Sequence, residues 1–334
     1  MAIRIAINGF GRIGRTFLRT IMHDATAQAT INVVAINQGP AQNHALDLLF
    51  KYDSVMGPFS GTVDYNDNVL TINNHSIQVL SLSNPADLPW KNLEIDWVIE
   101  ASGCFTKKAT AQAHIQAGCK KVLITAPSDT DVTIIPGVND AAYDPKKHHV
   151  ISMGSCTTNC FAPLVKVIKE HFSLIAGTMT TVHAYTSDQR LLDNSHKDPR
   201  RARCAAENII PTKTGVSNVI IQIFPELEGK LNATSLRVPV KIVSLVDFTF
   251  VTKENLDKNA LNNIFIQAAQ EKFKNIIHCA TEPLVSSDYM GSPYSAIVDT
   301  LLTQATENVG KVFAWYDNEY GYSCRLKDFL LHNQ

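Results

Sequence analysis

The chain reads as an α/β protein: a doubly wound parallel sheet, followed by a second, α+β domain whose sheet is largely antiparallel. Three observations lead there. The sequence opens on a strand, a glycine-rich turn, a helix and a second strand, in that order. Strand-like and helical stretches then keep alternating to about residue 154, the pattern of a parallel sheet with crossover helices. Beyond Cys156 the texture changes, and longer β-branched stretches dominate.

Length and composition suit that reading. At 334 residues the chain is long enough for two domains of ordinary size. Hydrophobic residues make up 45% and charged residues 18%, the proportions of a globular protein in water. With 30 basic and 31 acidic residues the net charge is −1, so no overall field draws the chain to nucleic acid or an acidic membrane. Any anionic ligand has to be held by a local cluster. The N-terminus runs straight into a strand without the pattern of a signal peptide, and no apolar run approaches the ~20 residues of a membrane span. Seven cysteines, an odd number without a paired framework, point to a reducing cytoplasm. Cys156 and Cys160 have no second Cys/His pair at zinc spacing, so no metal is expected.

In the first half, Ile3 to Ile7 alternates and then turns wholly apolar, as a buried parallel strand does. Asn8-Gly9-Phe10-Gly11-Arg12-Ile13-Gly14 follows, and Phe17, Leu18, Ile21 and Met22 then share one helical face. Gly9-x-Gly11-x-x-Gly14 between strand and helix is the dinucleotide fingerprint of a Rossmann-type sheet. Its first glycine allows the tight turn, its second lets backbone approach the pyrophosphate, and its third lets helix pack on strand. The second strand, Ile31 to Ile36, ends Asn37-Gln38-Gly39 without the carboxylate that usually accepts hydrogen bonds from the adenosine ribose. A neutral Gln38 does not repel a 2′-phosphate, and it can also bond the ribose as an amide. Further strands are expected at Trp97 to Glu100, Lys121 to Thr125 and Val150 to Ser152, with a helix over Thr110 to Ala117.

Ser155-Cys156-Thr157-Thr158-Asn159-Cys160 precedes the apolar run from Phe161 to Val165 and reads as the first turn of a helix. Orphan N–H groups and the positive end of the helix dipole gather at such a turn. A thiol there is expected to ionise more readily, which makes Cys156 a nucleophile candidate. Cys160, one turn on, is expected only to pack. Beyond it, strands are expected at Thr178 to Val182, Leu236 to Pro239, Ile242 to Phe250, Ser295 to Val298 and Val312 to Trp315. Helices are expected from Gly215 to Ile223 and from Ala260 to Phe273.

His183 closes the first of those strands, and an imidazole paired with Cys156 can act as general base and acid. Arg200, Arg201 and Arg203 can bind phosphate bidentately or form ion pairs at a subunit interface. Thr212-Lys213-Thr214-Gly215 offers hydroxyls and free N–H groups before a helix. Arg237 stands in an apolar strand, where its charge needs a bound anion or a buried carboxylate.

Taken together, the chain resembles the phosphorylating glyceraldehyde-3-phosphate dehydrogenase family from about Ile3 to its C-terminus. The most specific blocks are Ser155 to Cys160, His183-Ala184-Tyr185-Thr186, Asn208 to Gly215, and Trp315 to Tyr322. The resemblance implies a dinucleotide-binding domain over 1–154, to which a C-terminal helix 319–334 returns, and a catalytic domain over 155–318. It implies that Cys156 attacks the aldehyde of glyceraldehyde 3-phosphate. His183 then takes the hydroxyl proton while hydride passes to the nicotinamide, and inorganic phosphate cleaves the thioester to 1,3-bisphosphoglycerate. By the same resemblance Thr186 and Arg237 hold the substrate phosphate. Ser155, Thr157, Arg201, Thr214 and Gly215 line the subsite of the attacking phosphate. Gly9, Gly11, Arg12, Ile13 and Gly14 meet the pyrophosphate, Gln38 the ribose, and Thr125, Asn318 and Tyr322 the nicotinamide side. A cytoplasmic homotetramer of glycolysis or gluconeogenesis is implied as well.

Some positions depart from the family pattern. NAD-specific members usually carry Asp in place of Gln38 and Leu-Pro in place of Asn194-Ser195, while NADP-accepting members have a small residue followed by serine there. Ser83 stands where an arginine usually lies near the adenine. Use of NADP beside NAD is therefore expected. Two alternatives are an erythrose-4-phosphate dehydrogenase and a nucleotide-binding protein without turnover. Members of the first lack the threonine and the Thr-Gly pair seen here as Thr186 and Thr214-Gly215. The second is disfavoured because Cys156 and His183 are both present.

Overall fold

In the computed structural model, residues 2–40 and 45–333 are described, and they divide into two compact units. The first comprises residues 1–134, 139–154 and 323–334, and the second 135–138 and 155–322. Gln334, the end of the expected C-terminal helix, lies outside the described residues. That helix runs Tyr320–His332, and its later turns belong to the first unit, where Lys327 bonds Asp24 and Phe329 meets Trp97 edge-on. Ile135 and Val138 depart from the expected boundary because their side chains are buried in the second unit's core.

The first unit is built on a nine-stranded sheet. From one edge the order is Val63–Asn66, Val69–Ile72, His75–Leu80, Ile31–Asn37, Ile3–Asn8, Trp97–Glu100, Lys121–Ile124, Val150–Ser152 and Val132–Thr133. All neighbours from His75–Leu80 onward are parallel, and only the first two pairings are antiparallel. The apolar runs read from the sequence are buried on both faces, as parallel strands under crossover helices must be. Strand order reverses at Ile3–Asn8, which lies between Ile31–Asn37 and Trp97–Glu100. Ligands of open α/β sheets bind at such a switch point, outside the carboxyl ends of the strands.

Gly9 forms the turn at that point. Its φ is +97°, and an added Cβ would lie 2.4 Å from the backbone N and Cα of Ser102. Helix Arg12–Met22 then begins without a side-chain cap at Gly11, and it buries Phe17, Leu18, Ile21 and Met22, the face that the periodicity predicts.

The second unit has an eight-stranded sheet. Its order is Ile210–Thr212, Leu231–Val238, Leu174–Ala184, Ser244–Thr252, Val309–Tyr316, Ala296–Asp299 and Ile277–Ala280, with Gln304–Thr306 paired to Val309–Tyr316. Most pairings are antiparallel. Leu174–Ala184 with Leu231–Val238, and Ile277–Ala280 with Ala296–Asp299, are parallel. Helix Cys156–His171 is buried at every position from Thr157 to Val165 and contributes to this unit's core, where Phe161 meets Phe248 edge-on at 4.7 Å. Strands Leu174–Ala184, Leu231–Val238 and Val309–Tyr316 begin earlier than local composition predicts, because tertiary pairing recruits polar neighbours into the ladder, whereas helix Lys258–Gln270 stops short of the expected Phe273. The cysteines are all free, and among the described residues no helix is long and apolar enough to cross a membrane.

The turn generates a contrast. Gly9→Ala should lower stability on the order of 1–3 kcal/mol, the cost of a left-handed residue plus a backbone clash. Gly11→Ala, at φ −78° with nothing within 4 Å of the added carbon, should shift the urea midpoint less than half as far.

Candidate active site

Ser155 caps helix Cys156–His171, accepting a hydrogen bond from the Thr158 N–H at 3.1 Å. That cap sets Cys156 at the first helical position, with its Sγ 3.5 Å from His183 Nε2. His183 is buried near the end of strand Leu174–Ala184. In the parallel register its partner on the neighbouring strand is Arg237. Arg237 Nη1 lies 2.7 Å from His183 Nδ1 and 3.1 Å from the Ala184 carbonyl oxygen, which is itself 2.7 Å from Nδ1.

Arg237 answers a question that its sequence context left open. No carboxylate lies within ion-pair distance of it among the described residues, and its Nε is buried with no hydrogen-bond partner. A buried guanidinium bonded only to neutral groups is the arrangement that an anionic ligand would complete.

Electrostatics here differ from the sequence expectation. Helix dipole alone would favour a thiolate at Cys156, but burial pushes its thiol up, against the pull of Arg237 and of the Thr157 hydroxyl and N–H. Burial and then the Arg237 charge push His183 down to about 3. Dry surroundings disfavour the charged form of each group, while the Arg237 charge pulls the thiol the other way. Cys160 is fully buried and its thiol faces the Ala314 carbonyl oxygen, so it packs as expected.

Two expected phosphate contacts are otherwise engaged. The Thr157 hydroxyl is buried and bonded to Tyr316 Oη at 2.8 Å, and the Ser155 hydroxyl serves as the helix cap. Hydroxyls at a helix start are drawn to the helix's own orphan groups and to buried neighbours. Thr214 and Gly215 precede helix Val216–Ile223, whose N-terminus has no side-chain cap. Arg201 reaches along that segment, donating to Thr212 Oγ1 at 2.9 Å and the Lys213 carbonyl at 3.3 Å. It also pairs with Asp188 at 2.6 Å. Arg203 pairs with Asp193 at 2.8 Å, so these ion pairs form within the chain. Thr186 is half-buried and donates its N–H to Gln189 Oε1. Asn318 is buried and accepts from Ser244 Oγ at 3.0 Å, and the Ala184 N–H donates to that same hydroxyl. Tyr322 is buried.

Tyr316 is a residue that sequence reasoning quoted without giving it a role. Its hydroxyl joins Thr157 to Thr181, 2.8 Å from each, and its ring stands edge-on to His183 at 6.1 Å. The block from Trp315 to Tyr322 held the signal, but only the fold shows what the phenol touches.

In the first unit, a cavity of about 580 Å³ opens over Gly9, Gly11, Asn37, Gln38, Ser83 and Ser102. Gly14 allows close packing there, since an added Cβ would lie 2.3 Å from the Gly9 carbonyl oxygen. Helix Arg12–Met22 starts without a side-chain cap from Gly11, and a helix N-terminus can take a pyrophosphate; the Arg12 side chain pairs with Asp53 at 2.5 Å. Gln38 donates to Ser81 Oγ at 2.9 Å. Beneath the turn, buried Glu100 accepts from Asn8 at 2.5 Å, Ser102 N at 2.8 Å and the Ser102 hydroxyl, and it lies 3.0 Å from His114 Nε2. Thr125 bonds the Glu100 carbonyl. The residues present fit a dinucleotide. Among the described residues no group of His, Cys, Asp and Glu could hold a metal ion.

Comparison with known proteins agrees with the geometry. Residues 3–108 match the family model described as glyceraldehyde 3-phosphate dehydrogenase, NAD binding domain, and residues 155–318 match the C-terminal domain of the same family. The chain is 47% identical to glyceraldehyde-3-phosphate dehydrogenase 2 of Streptomyces avermitilis, over 99% of this chain and 98% of that protein. It is 46% identical to glyceraldehyde-3-phosphate dehydrogenase 2 of Bacillus subtilis, over 99% and 97%. To glyceraldehyde-3-phosphate dehydrogenase of Geobacillus stearothermophilus it is 47% identical, over 99% and 98%.

The buried imidazole implies a pH dependence of stability. His183 stays neutral in the folded chain down to about 3 but takes a proton near 6.5 once unfolded. Its contribution is therefore complete above the unfolded value and is lost as pH falls toward the folded one. Between about pH 7.5 and about pH 5.5 the loss through this ring should be about 1 kcal/mol. Urea midpoints of the protein and of His183→Asn check it, with the variant expected to show the flatter profile.

Proposed function

This chain belongs to the glyceraldehyde 3-phosphate dehydrogenase family, and from that premise we propose that it oxidises glyceraldehyde 3-phosphate to 1,3-bisphosphoglycerate with NAD and inorganic phosphate. Glycolysis and gluconeogenesis both use that step. The observation that carries the reading is the thiol of Cys156 facing His183 Nε2 across 3.5 Å at a capped helix start.

In this reading Cys156 gives its proton to His183 as Sγ bonds the aldehyde carbon, and the proton passes on to the new alkoxide. The hemithioacetal hydroxyl then returns a proton to His183 Nε2 as the carbon–oxygen double bond forms. When bound, the dinucleotide supplies the acceptor for the hydride lost in that step. A thioester on Cys156 remains, and a phosphate oxygen displaces the sulfur, which His183 reprotonates. Sulfur suits the task because its acyl bond keeps the energy of oxidation available to phosphate.

Arg237 and Thr186 hold the phosphate of the substrate. Arg201, Thr214 and Gly215 receive the attacking phosphate, together with the helix start behind Ser155 and Thr157. In the dinucleotide domain, 1–154 with the chain from 319 on, Gly9, Gly11, Arg12, Ile13 and Gly14 hold the pyrophosphate and Thr125 lies by the nicotinamide. Asn318, at the end of the catalytic domain 155–318, orients the carboxamide, and Tyr322, in helix Tyr320–His332, lies on the nicotinamide side. Gln38 leaves the ribose pocket without a carboxylate, and Ser195 replaces a bulkier proline, so the enzyme accepts NADP as well as NAD. A homotetramer is supported by Leu191, Leu192 and Ile209, which are 81%, 75% and 68% exposed in the single chain. Its place is the cytoplasm.

Cys156→Ser should lose turnover by several orders of magnitude while binding dinucleotide as the parent does, measured by initial rates and by titration. Rates should also vanish without inorganic phosphate; phosphate-independent turnover would point to the erythrose-4-phosphate branch. Gln38→Asp should lower kcat/KM with NADP by about 1–3 kcal/mol, or roughly 5- to 150-fold. A parent that prefers NAD a hundredfold would rule out the dual use.

A further inference from the structure

The first unit holds another cavity, larger than the one over Gly9, that the dinucleotide reading does not use. It measures about 880 Å³ and opens at the amino ends of strands Ile3–Asn8 and Trp97–Glu100, where Ile3, Arg4 and Trp97 line it. Ligands of open α/β sheets bind at the opposite ends of the strands, here over Gly9 and Ser102, so this place is separate from the cofactor's. Its volume is that of a small-molecule site.

Charge sets this cavity apart. The chain as a whole is at −1, yet four cations, Arg4, Lys91, Lys120 and Lys121, line it against two acids, Glu94 and Asp96. Backbone contacts hold the lysine-bearing loops together. The Lys91 N–H donates to the Ala117 carbonyl oxygen at 3.0 Å, and Gly118, at φ +106°, leaves out a Cβ that would lie 2.4 Å from Lys91 Cβ. Among the described residues only one of the four cations, Lys120, has an acid partner, Asp96 at 2.7 Å. Arg4 donates Nε and Nη2 to the Leu93 carbonyl oxygen, and its Nη1 makes no bond. Lys121 lies over the rings of Trp97 at 5.3 Å and Tyr143 at 4.9 Å, and it donates to Tyr143 Oη and the Pro145 carbonyl oxygen. Burial pushes its ammonium down, and the nearby Asp144 pairs with Lys147 instead.

Trp97 supplies an observation of another kind. It is 3% exposed and lines the cavity, yet its indole N–H makes no hydrogen bond among the described residues. The other two indoles are both bonded, Trp90 to His114 Nδ1 and Trp315 to Asp299. A buried donor left open and cations gathered without counter-ions are each a cost, and a ligand with several negative charges would relieve both.

We propose that this cavity binds a polyphosphate chain, either free or carried by a nucleotide. Several phosphates in a row match cations spread along one cavity, whereas a single small anion would reach only part of them. Arg4 Nη1 and the Trp97 N–H are the open donors for phosphate oxygens, and Lys91, Lys120 and Lys121 supply the surrounding charge. The site is independent of the dehydrogenase reading and adds to it a second place for an anion.

The chain has three tryptophans, so protein labelled with 5-fluorotryptophan gives three fluorine signals, with that of Trp97 assigned by its loss in Trp97→Phe. Saturating NAD and inorganic phosphate are kept present to fill the cofactor cavity and the phosphate subsites near Cys156. Tripolyphosphate should then move the Trp97 signal saturably while that of Trp90 stays in place. ATP titrated beside it separates the two sources: equal affinity assigns the site to the phosphates alone, and tighter binding of ATP assigns it to a nucleotide. Arg4→Gln combined with Lys121→Gln should weaken binding at least about tenfold, the loss of two charge-assisted contacts, with initial rates on glyceraldehyde 3-phosphate unchanged. Lys91→Glu, at an exposed position, should also weaken it and guards against a poorly folded double variant. A Trp97 signal that millimolar tripolyphosphate does not move overturns the proposal. So does an equal shift with sulfate at the same ionic strength, or a titration that none of these substitutions changes.

Discussion

A guanidinium without a carboxylate, set beside an imidazole in adjacent parallel strands, is the constraint around which the catalytic unit is organised. The charge of Arg237 favours a thiolate at Cys156 and disfavours an imidazolium at His183, so it acts on the two partners of one proton transfer in opposite senses. Burial reinforces the second effect and opposes the first. The two effects make the ionisation of this pair sensitive to the charge that surrounds Arg237.

The surroundings keep that arrangement narrow. Tyr316 ties Thr157, at the helix start, to Thr181 on the strand that carries His183. Ser244 ties the backbone of Ala184 to Asn318. Each bridge joins an element bearing a reactive group to one bearing a supporting group, and each is buried, so breaking it would leave a hydroxyl or amide unpaired. Reacting groups on a helix and two strands are thus fixed by hydrogen bonds that belong to none of those elements alone.

A similar logic operates in the first unit. Glu100 is a buried carboxylate that gathers Asn8, Ser102 and His114 under the glycine turn, while Trp90 donates to the far side of His114. Asn37 bonds Asn8 and the backbone of Leu82, which carries the network across to the next strand. The glycine turn is thereby held by bonds within the protein, an arrangement that would lower the ordering cost of binding a ligand there. Gln38 stands just outside this network as a neutral amide on Ser81, leaving the ribose end of the cavity uncharged by its own side chain.

Local chemistry made much of this legible in the chain itself. Alternation, apolar runs and Gly9-x-Gly11-x-x-Gly14 determine the parallel sheet and its turn, because period and backbone freedom are properties of neighbouring residues. The serine before Cys156 likewise announces a helix start, and a strand ending in histidine marks a cleft. What the chain could not reveal are contacts across distances in sequence. The pairing of His183 with Arg237 follows from strand register, the bond of Thr157 to Tyr316 from how a helix lies on a sheet, and the absence of an acid beside Arg237 from everything that packs around it. Desolvation of Cys156, which opposes the helix dipole, is out of reach for the same reason: the dipole can be read from six residues, but burial is summed over the whole fold.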